Sequence, residues 1–245
     1  APQAAFLRYA MGLVFLIPML GSLRRLRLDR GTWGFFAARG LVHTVGVALW
    51  FYAMARIPIA DVTAMNYLAP IYVTLGAGLF LGERLALRRV IILRPGFREV
   101  GSGHLAMIFT AIFFGASYLI AKVVSGRSSP GVVVAMLSIT VTIGLAPLAA
   151  AVWVTPTPWE LAILFAVATL ATAGHYTMTL AFRAAPLAVT QPVTFLQLVW
   201  AVLLGALVFG EGVDVFVVLG GMVIVGAVSF ISWREAVLKR RITPT

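Results

Sequence analysis

The chain has 245 residues, of which 61% are hydrophobic and only 11% charged. Soluble domains carry about 25% charged residues, so this composition excludes a protein whose whole surface faces water. The net charge of +11 does not indicate nucleic acid, because the basic residues fall between apolar runs instead of lining one solvated face. There is no cysteine, which excludes disulfide and thiol chemistry.

Apolar runs cover residues 4–21, 33–55, 59–82, 103–124, 131–154, 159–183, 187–210 and 213–233. Each approaches or exceeds the ~20 residues that carry a helix across a bilayer. Backbone groups find no water in hydrocarbon, so these runs predict eight α-helices. The first run follows Ala-Pro-Gln-Ala, with neither an initiator Met nor a basic leader, and we expect the natural beginning to lie elsewhere.

Taken in order, the first run holds Pro18, which removes a backbone donor and permits a bend. On 33–55, Arg39, His43 and Trp50 are four and seven residues apart and share one helical face. The run 59–82 opens with Asp61 as an N-terminal charge and carries Asn66, Tyr67, Pro70 and Tyr72 in its middle. Its Gly78-x-x-x-Gly82 spacing predicts close helix packing, as does Ala206-x-x-x-Gly210 later. On 103–124, Ser117 and Tyr118 are cavity candidates, and Lys122 is expected to snorkel to the interface. Pro147 interrupts 131–154. A stripe of Thr172, His175 and Thr179 runs along 159–183. Pro192, Thr194, Gln197 and Trp200 lie on 187–210.

His43 and His175 are the only histidines inside spans, serving either interhelical hydrogen bonding or a cavity able to take a proton. Asn66 and Gln197 carry the same two readings. Trp33, Trp153, Trp159 and Trp233 sit at span ends, where an aromatic belt accounts for them; Trp50 and Trp200 do not. All eight acidic residues lie at span ends or in loops, which disfavours coupling through a buried carboxylate. No ligand spacing marks a metal site, and no cofactor is expected.

The chain also resembles itself. Moving residues 52–83 forward by 128 places Ala53, Pro58, Ala60, Leu68, Leu75, Leu79, Gly82 and Glu83 on Ala181, Pro186, Ala188, Leu196, Leu203, Leu207, Gly210 and Glu211. A hydrophobic chain made of two copies of one helical unit points to a transporter whose solute sits between the copies. Under this offset the mate of 103–124 falls before Ala1. The mate of 213–233 falls on residues 85–105, which hold only Val90-Ile91-Ile92-Leu93 as an apolar core. Charge decides whether the chain crosses there. With a crossing near residue 90, fourteen basic residues gather on one side and three on the other; without it the tally is nine against eight. The positive-inside rule selects the crossing. Aligning Leu93-Arg94 with Trp233-Arg234 gives an offset of 140, so we expect twelve residues to be absent between Arg89 and Val90, and one helix before Ala1. Ten helices then form two repeats, residues 1–99 and 100–245. Five helices per repeat makes the second copy inverted.

Leu7-Arg8-Tyr9, Arg39-Gly40, "YAMARIPIADVTAMNYLAPIYVTLGAGLFLGER" and "LAFRAAPLAVTQPVTFLQLVWAVLLGALVFGE" resemble the drug/metabolite transporter superfamily, EamA branch, most densely over 39–97 and 175–231. The resemblance implies an all-α, ten-helix, five-plus-five inverted-repeat fold in the bacterial inner membrane. It implies alternating-access movement of small organic solutes, and a first helix that helps line the cavity. The charge tally places both termini in the cytoplasm. Export of amino acids or related metabolites is the first expectation; import of a cofactor or nucleotide-like metabolite is the alternative. An enzyme lacks any HExxH, nucleophile motif or intramembrane acid pair, and a passive channel would not saturate. The expected partners are a small-molecule solute and the lipid bilayer, not nucleic acid. The substrate cavity is expected to use His43, Trp50, Asn66, Tyr67, Tyr72, Tyr118, His175, Thr179, Gln197 and Trp200, with bends at Pro18, Pro70, Pro147 and Pro192.

Overall fold

A computed structural model describes residues 2–19, 29–57, 62, 65–66, 68–81 and 101–194, with positions 196, 197, 199, 200, 203, 207 and 226. Tyr67, Asp61, Gly82 and the Arg89–Val90 junction lie outside the described residues. So do Ala206 and Gly210.

Among the described residues the secondary structure is helical throughout. Helix α1 spans Pro2–Gly12 and passes into a 3₁₀ segment, Leu13–Met19. Pro18 lies in this 3₁₀ segment, and a proline has no N–H to give the i→i−4 bond of a regular α-turn. Helix α2 spans Arg30–Met54, α3 Leu68–Phe80, α4 Ser102–Ser125, α5 Pro130–Ala151, α6 Pro158–Ala184 and α7 Leu187–Thr194. Four of these, α2, α4, α5 and α6, are long and apolar enough to cross a membrane. Leu41 and Ile143 are each 68% exposed and Leu170 75%, which suits contact with lipid.

Helix starts follow local chemistry. Asp29 caps α2, its Oδ2 accepting from the Thr32 amide at 3.1 Å and its Oδ1 from Thr32 Oγ1 at 2.5 Å. Thr157 and Glu160 cap α6 reciprocally: Glu160 Oε2 accepts the Thr157 amide at 2.7 Å, and Thr157 Oγ1 accepts the Glu160 amide at 3.3 Å. Pro130 and Pro158 occupy first-turn positions, where a missing N–H costs nothing. Pro147, by contrast, sits inside α5 without ending it, and Pro70 lies in the first turn of α3. Pro192 lies within α7.

The cap makes a pH expectation. The Thr32 hydroxyl bond, then the Thr32 amide, hold the Asp29 carboxyl below its ordinary 3.8. A depressed folded-state pKa contributes stability that is present above the unfolded value and lost as pH falls through the folded one. Asp29→Ala should therefore lower the detergent-solubilised melting temperature at pH 7, and the gap from wild type should close below about pH 4. An equal gap at pH 3 and pH 7 would contradict the charged cap.

The described chain divides into two units, residues 1–184 and 185–245. In the first, α4 is central: α2 and α3 pack on it, while α1 and α2 pack on α5. Glycines set how closely the helices approach, and they fix the helix directions. A Cβ on Gly40 would lie 2.3 Å from Thr140, and one on Gly144 2.8 Å from Thr44. Each glycine thus receives the other helix's threonine, and α2 and α5 run parallel. A Cβ on Gly115 would meet Tyr72 at 3.1 Å, and one on Gly76 would meet Leu119 at 2.4 Å, so α3 and α4 are parallel too. Gly76 is the glycine at which α3 meets α4; Gly78 is half-buried, and its mate Gly82 lies outside the described residues. Gly46 faces Phe113 and Phe114 while Gly103 faces Ile57, making α2 and α4 antiparallel. Lys122 of α4 donates to the Phe182 carbonyl near the end of α6, so these two helices end together. The ammonium finds a carbonyl left open near a helix C-terminus.

Candidate functional site

Near the middle of the first unit, α1, α2, α4 and α6 bring a polar group together inside an apolar shell. Ala5, Val47, Leu137, Val141 and Leu145 pack around Tyr9. His43, 3% exposed, is bonded at both ring nitrogens: Nε2 lies 2.7 Å from the Tyr9 hydroxyl and Nδ1 3.0 Å from Ser117 Oγ. A neutral imidazole has one donor and one acceptor. Either Tyr9 donates to Nε2 while Nδ1–H donates to Ser117, or both bonds reverse. The three groups form a chain that two tautomers satisfy equally, with no charge required.

Aromatic rings close the site. The His43 ring centroid lies 5.0 Å from Phe114 and 5.9 Å from His175, and Tyr118 stands 6.4 Å from Phe114 and 6.3 Å from Phe182. Thr172 and Tyr176 of α6 line a cavity of about 300 Å³ with Phe15, Gly131, Val134, Thr169 and Ala173. That is the lower end of the range for small-molecule sites.

One turn before His43, Arg39 is 1% exposed. Its Nη1 donates to the Val133 carbonyl at 2.9 Å, while Nε and Nη2 have no hydrogen-bond partner. The Arg8 guanidinium lies over the Tyr9 ring at 4.0 Å.

Of the expected site residues, His43, Tyr118 and His175 come together. Thr179 is fully buried, but its hydroxyl donates to the His175 carbonyl at 2.7 Å, a bond within its own helix. Trp50 shares a helix face with His43 and yet packs with Phe51 at 5.3 Å, and against Ala53, Val62, Met65, Ala106 and Met107. Tyr72 packs at the α3–α4 contact, beside Gly115. Asn66 is half-buried. In the second unit Gln197 is exposed and Trp200 is 64% exposed, whereas Gln191 is 2% exposed with its Oε1 unpartnered.

The sequence reading missed Arg8, Tyr9 and Arg39 as members of this group. The signal was present for both arginines, since an ionisable side chain inside a membrane span marks function by default.

A multi-pass helical membrane protein with a buried, aromatic-lined polar centre is the class these features define. The EamA-like transporter family matches residues 1–97 and 101–233, and the chain belongs to it. The chain is 31% identical to a riboflavin transporter of Rhizobium johnstonii, over 98% of this chain and 83% of that protein. It is 25% identical to an S-adenosylmethionine uptake transporter of Rickettsia bellii, over 95% and 84%. It is also 25% identical to a pseudopaline exporter of Pseudomonas aeruginosa, over 93% and 84%. It is a membrane transporter, not an enzyme.

Proposed function

We propose that this protein carries a heteroaromatic, cofactor-like metabolite inward across the bacterial cytoplasmic membrane, with riboflavin the first candidate. The observation that carries the reading is the buried centre of Tyr9, His43 and Ser117 walled by Phe114, Tyr118 and His175. Flat rings stack on such walls, and a polar ring edge finds both donors and acceptors there. Relatives named for riboflavin and for S-adenosylmethionine uptake support this choice over amino-acid export, the first expectation from sequence.

The cycle is alternating access between two inverted five-helix repeats meeting at 99/100. Family matches over 1–97 and 101–233 support the repeats. The offset of 128 sets Pro2 on Pro130 and Arg30 on Pro158, the first residues of α1, α5, α2 and α6. Both pairs are antiparallel, which supports inversion. Gln3 bonds Val154 beyond the end of α5, while Phe15 shares a cavity with Gly131 at its start. Arg127, just past α4, sits over Phe35 near the start of α2, at the end where α4 and α6 finish together. Parallel α3 and α4 support the expected crossing between them. Arg30, Lys122, Arg127 and Arg183 gather at one end of the unit, which supports a cytoplasmic placement of that end.

Purified protein in proteoliposomes should take up riboflavin with saturation, and a panel of amino acids should not compete. Saturable amino-acid flux without riboflavin uptake would reverse the choice.

A further inference from the structure

We propose that Arg39, with Arg8, forms an anion subsite beside the His43 centre, taking a carboxylate or phosphate group of the transported solute. This rests on the transporter reading and extends it: riboflavin itself is uncharged, so the subsite serves a phosphorylated or carboxylate-bearing member of the same heteroaromatic class.

A guanidinium buried in a membrane protein is costly unless an opposite charge and hydrogen bonds compensate it. Arg39 has one bond, to Val133, and two unpartnered donors. These donors, Nε and Nη2, lie along one edge of the planar group, the fork that matches two oxygens of a carboxylate or phosphate. Arg39 stands one turn before His43 on the same face of α2, and Arg8 lies over the ring of Tyr9, whose hydroxyl is bonded to His43, so both charges adjoin the same centre. Among the described residues the carboxylates are Asp29 and Glu160, both exposed at helix starts and engaged in capping. Two cations thus converge on neutral rings and hydroxyls with no described acid to balance them. An anionic group on the solute supplies that balance.

The test compares matched solutes that differ in an anionic group: riboflavin against riboflavin 5′-phosphate, and tryptophan against tryptophanamide. Binding to the full chain in nanodiscs is followed by flavin fluorescence quenching or by calorimetry. In at least one pair the member bearing the phosphate or carboxylate should bind tenfold or more tightly than its partner. The flavin pair reports a phosphate source and the tryptophan pair a carboxylate. Arg39→Gln should erase the preference, and Arg39→Lys, which keeps charge but loses the fork, should retain part of it. Equal binding of both members of each pair to wild type overturns the subsite even if Arg39→Gln fails to fold. So does a preference unchanged in Arg39→Lys and Arg39→Gln. Riboflavin binding without charge preference sinks the subsite alone. Charge preference in the tryptophan pair without flavin binding sinks the riboflavin assignment alone.

Discussion

Replacing Gly40 with alanine is expected to cost the protein a large share of its stability. The added methyl would sit 2.3 Å from both Cβ and Oγ1 of Thr140, closer than real side-chain carbons approach. Thr140 cannot swing aside freely. It is β-branched, and its hydroxyl donates to the Met136 carbonyl at 2.7 Å within α5. Relief must come from separating α2 and α5, which also strains the reciprocal contact of Gly144 with Thr44 and the bond from Arg39 to Val133. Overpacking of this kind costs about 1–3 kcal/mol, against a total stability of roughly 5–15. We expect a fall of several degrees or more in the melting temperature of detergent-solubilised protein, with reduced yield. Gly34→Ala is the matched control, since nothing lies within 4 Å of its new carbon. It should leave stability unchanged or slightly raised, because alanine is the better helix former. Equal losses at 34 and 40 would show that the close contact of α2 with α5 is wrong.

His43→Ala should cut transport tenfold or more while leaving a folded protein. The substitution removes the partner of both the Tyr9 and Ser117 hydroxyls. It also removes the ring that faces Phe114 at 5.0 Å and His175 at 5.9 Å. A buried polar group left unsatisfied costs about 1–3 kcal/mol, so a modest drop in melting temperature is expected. Solute uptake should fall tenfold or more, because the hole destroys the shape and hydrogen bonding of the centre together. Ser117→Ala, which leaves the Tyr9–His43 bond intact, should retain measurable uptake. Wild-type uptake by His43→Ala would place the transport path elsewhere.

Much of the architecture is legible in the chain because lipid leaves little choice. Long apolar runs must become helices, and those expected over 103–124 and 159–183 appear as Ser102–Ser125 and Pro158–Ala184. The spacing of Arg39 and His43 placed both on one face, and both are buried together. Periodicity could not show that the face changes neighbours along its length. Trp50, two turns on, meets the apolar cluster around Met107 instead of the polar centre. Nor does spacing show that Gly76 is the glycine that meets Leu119 of α4, because that depends on the rotation of α3, set by the partner helix. Arg8 and Arg39 were legible as intramembrane charges, but a count of charges per side sets them apart as neither inside nor outside. Their convergence on Tyr9 and His43 requires α1, α2 and α6 to be packed. Substrate choice is the least legible feature: relatives at 31% and 25% identity carry names for different solutes.

The most direct measurement is counterflow. Proteoliposomes preloaded with unlabelled riboflavin are diluted into trace labelled riboflavin, and label entry is followed over time. A carrier with one site exposed alternately to each side should show a transient accumulation of label that preloading accelerates and excess external riboflavin saturates. Label entry that is linear in concentration and indifferent to preloading, or no entry beyond protein-free vesicles, would contradict the account.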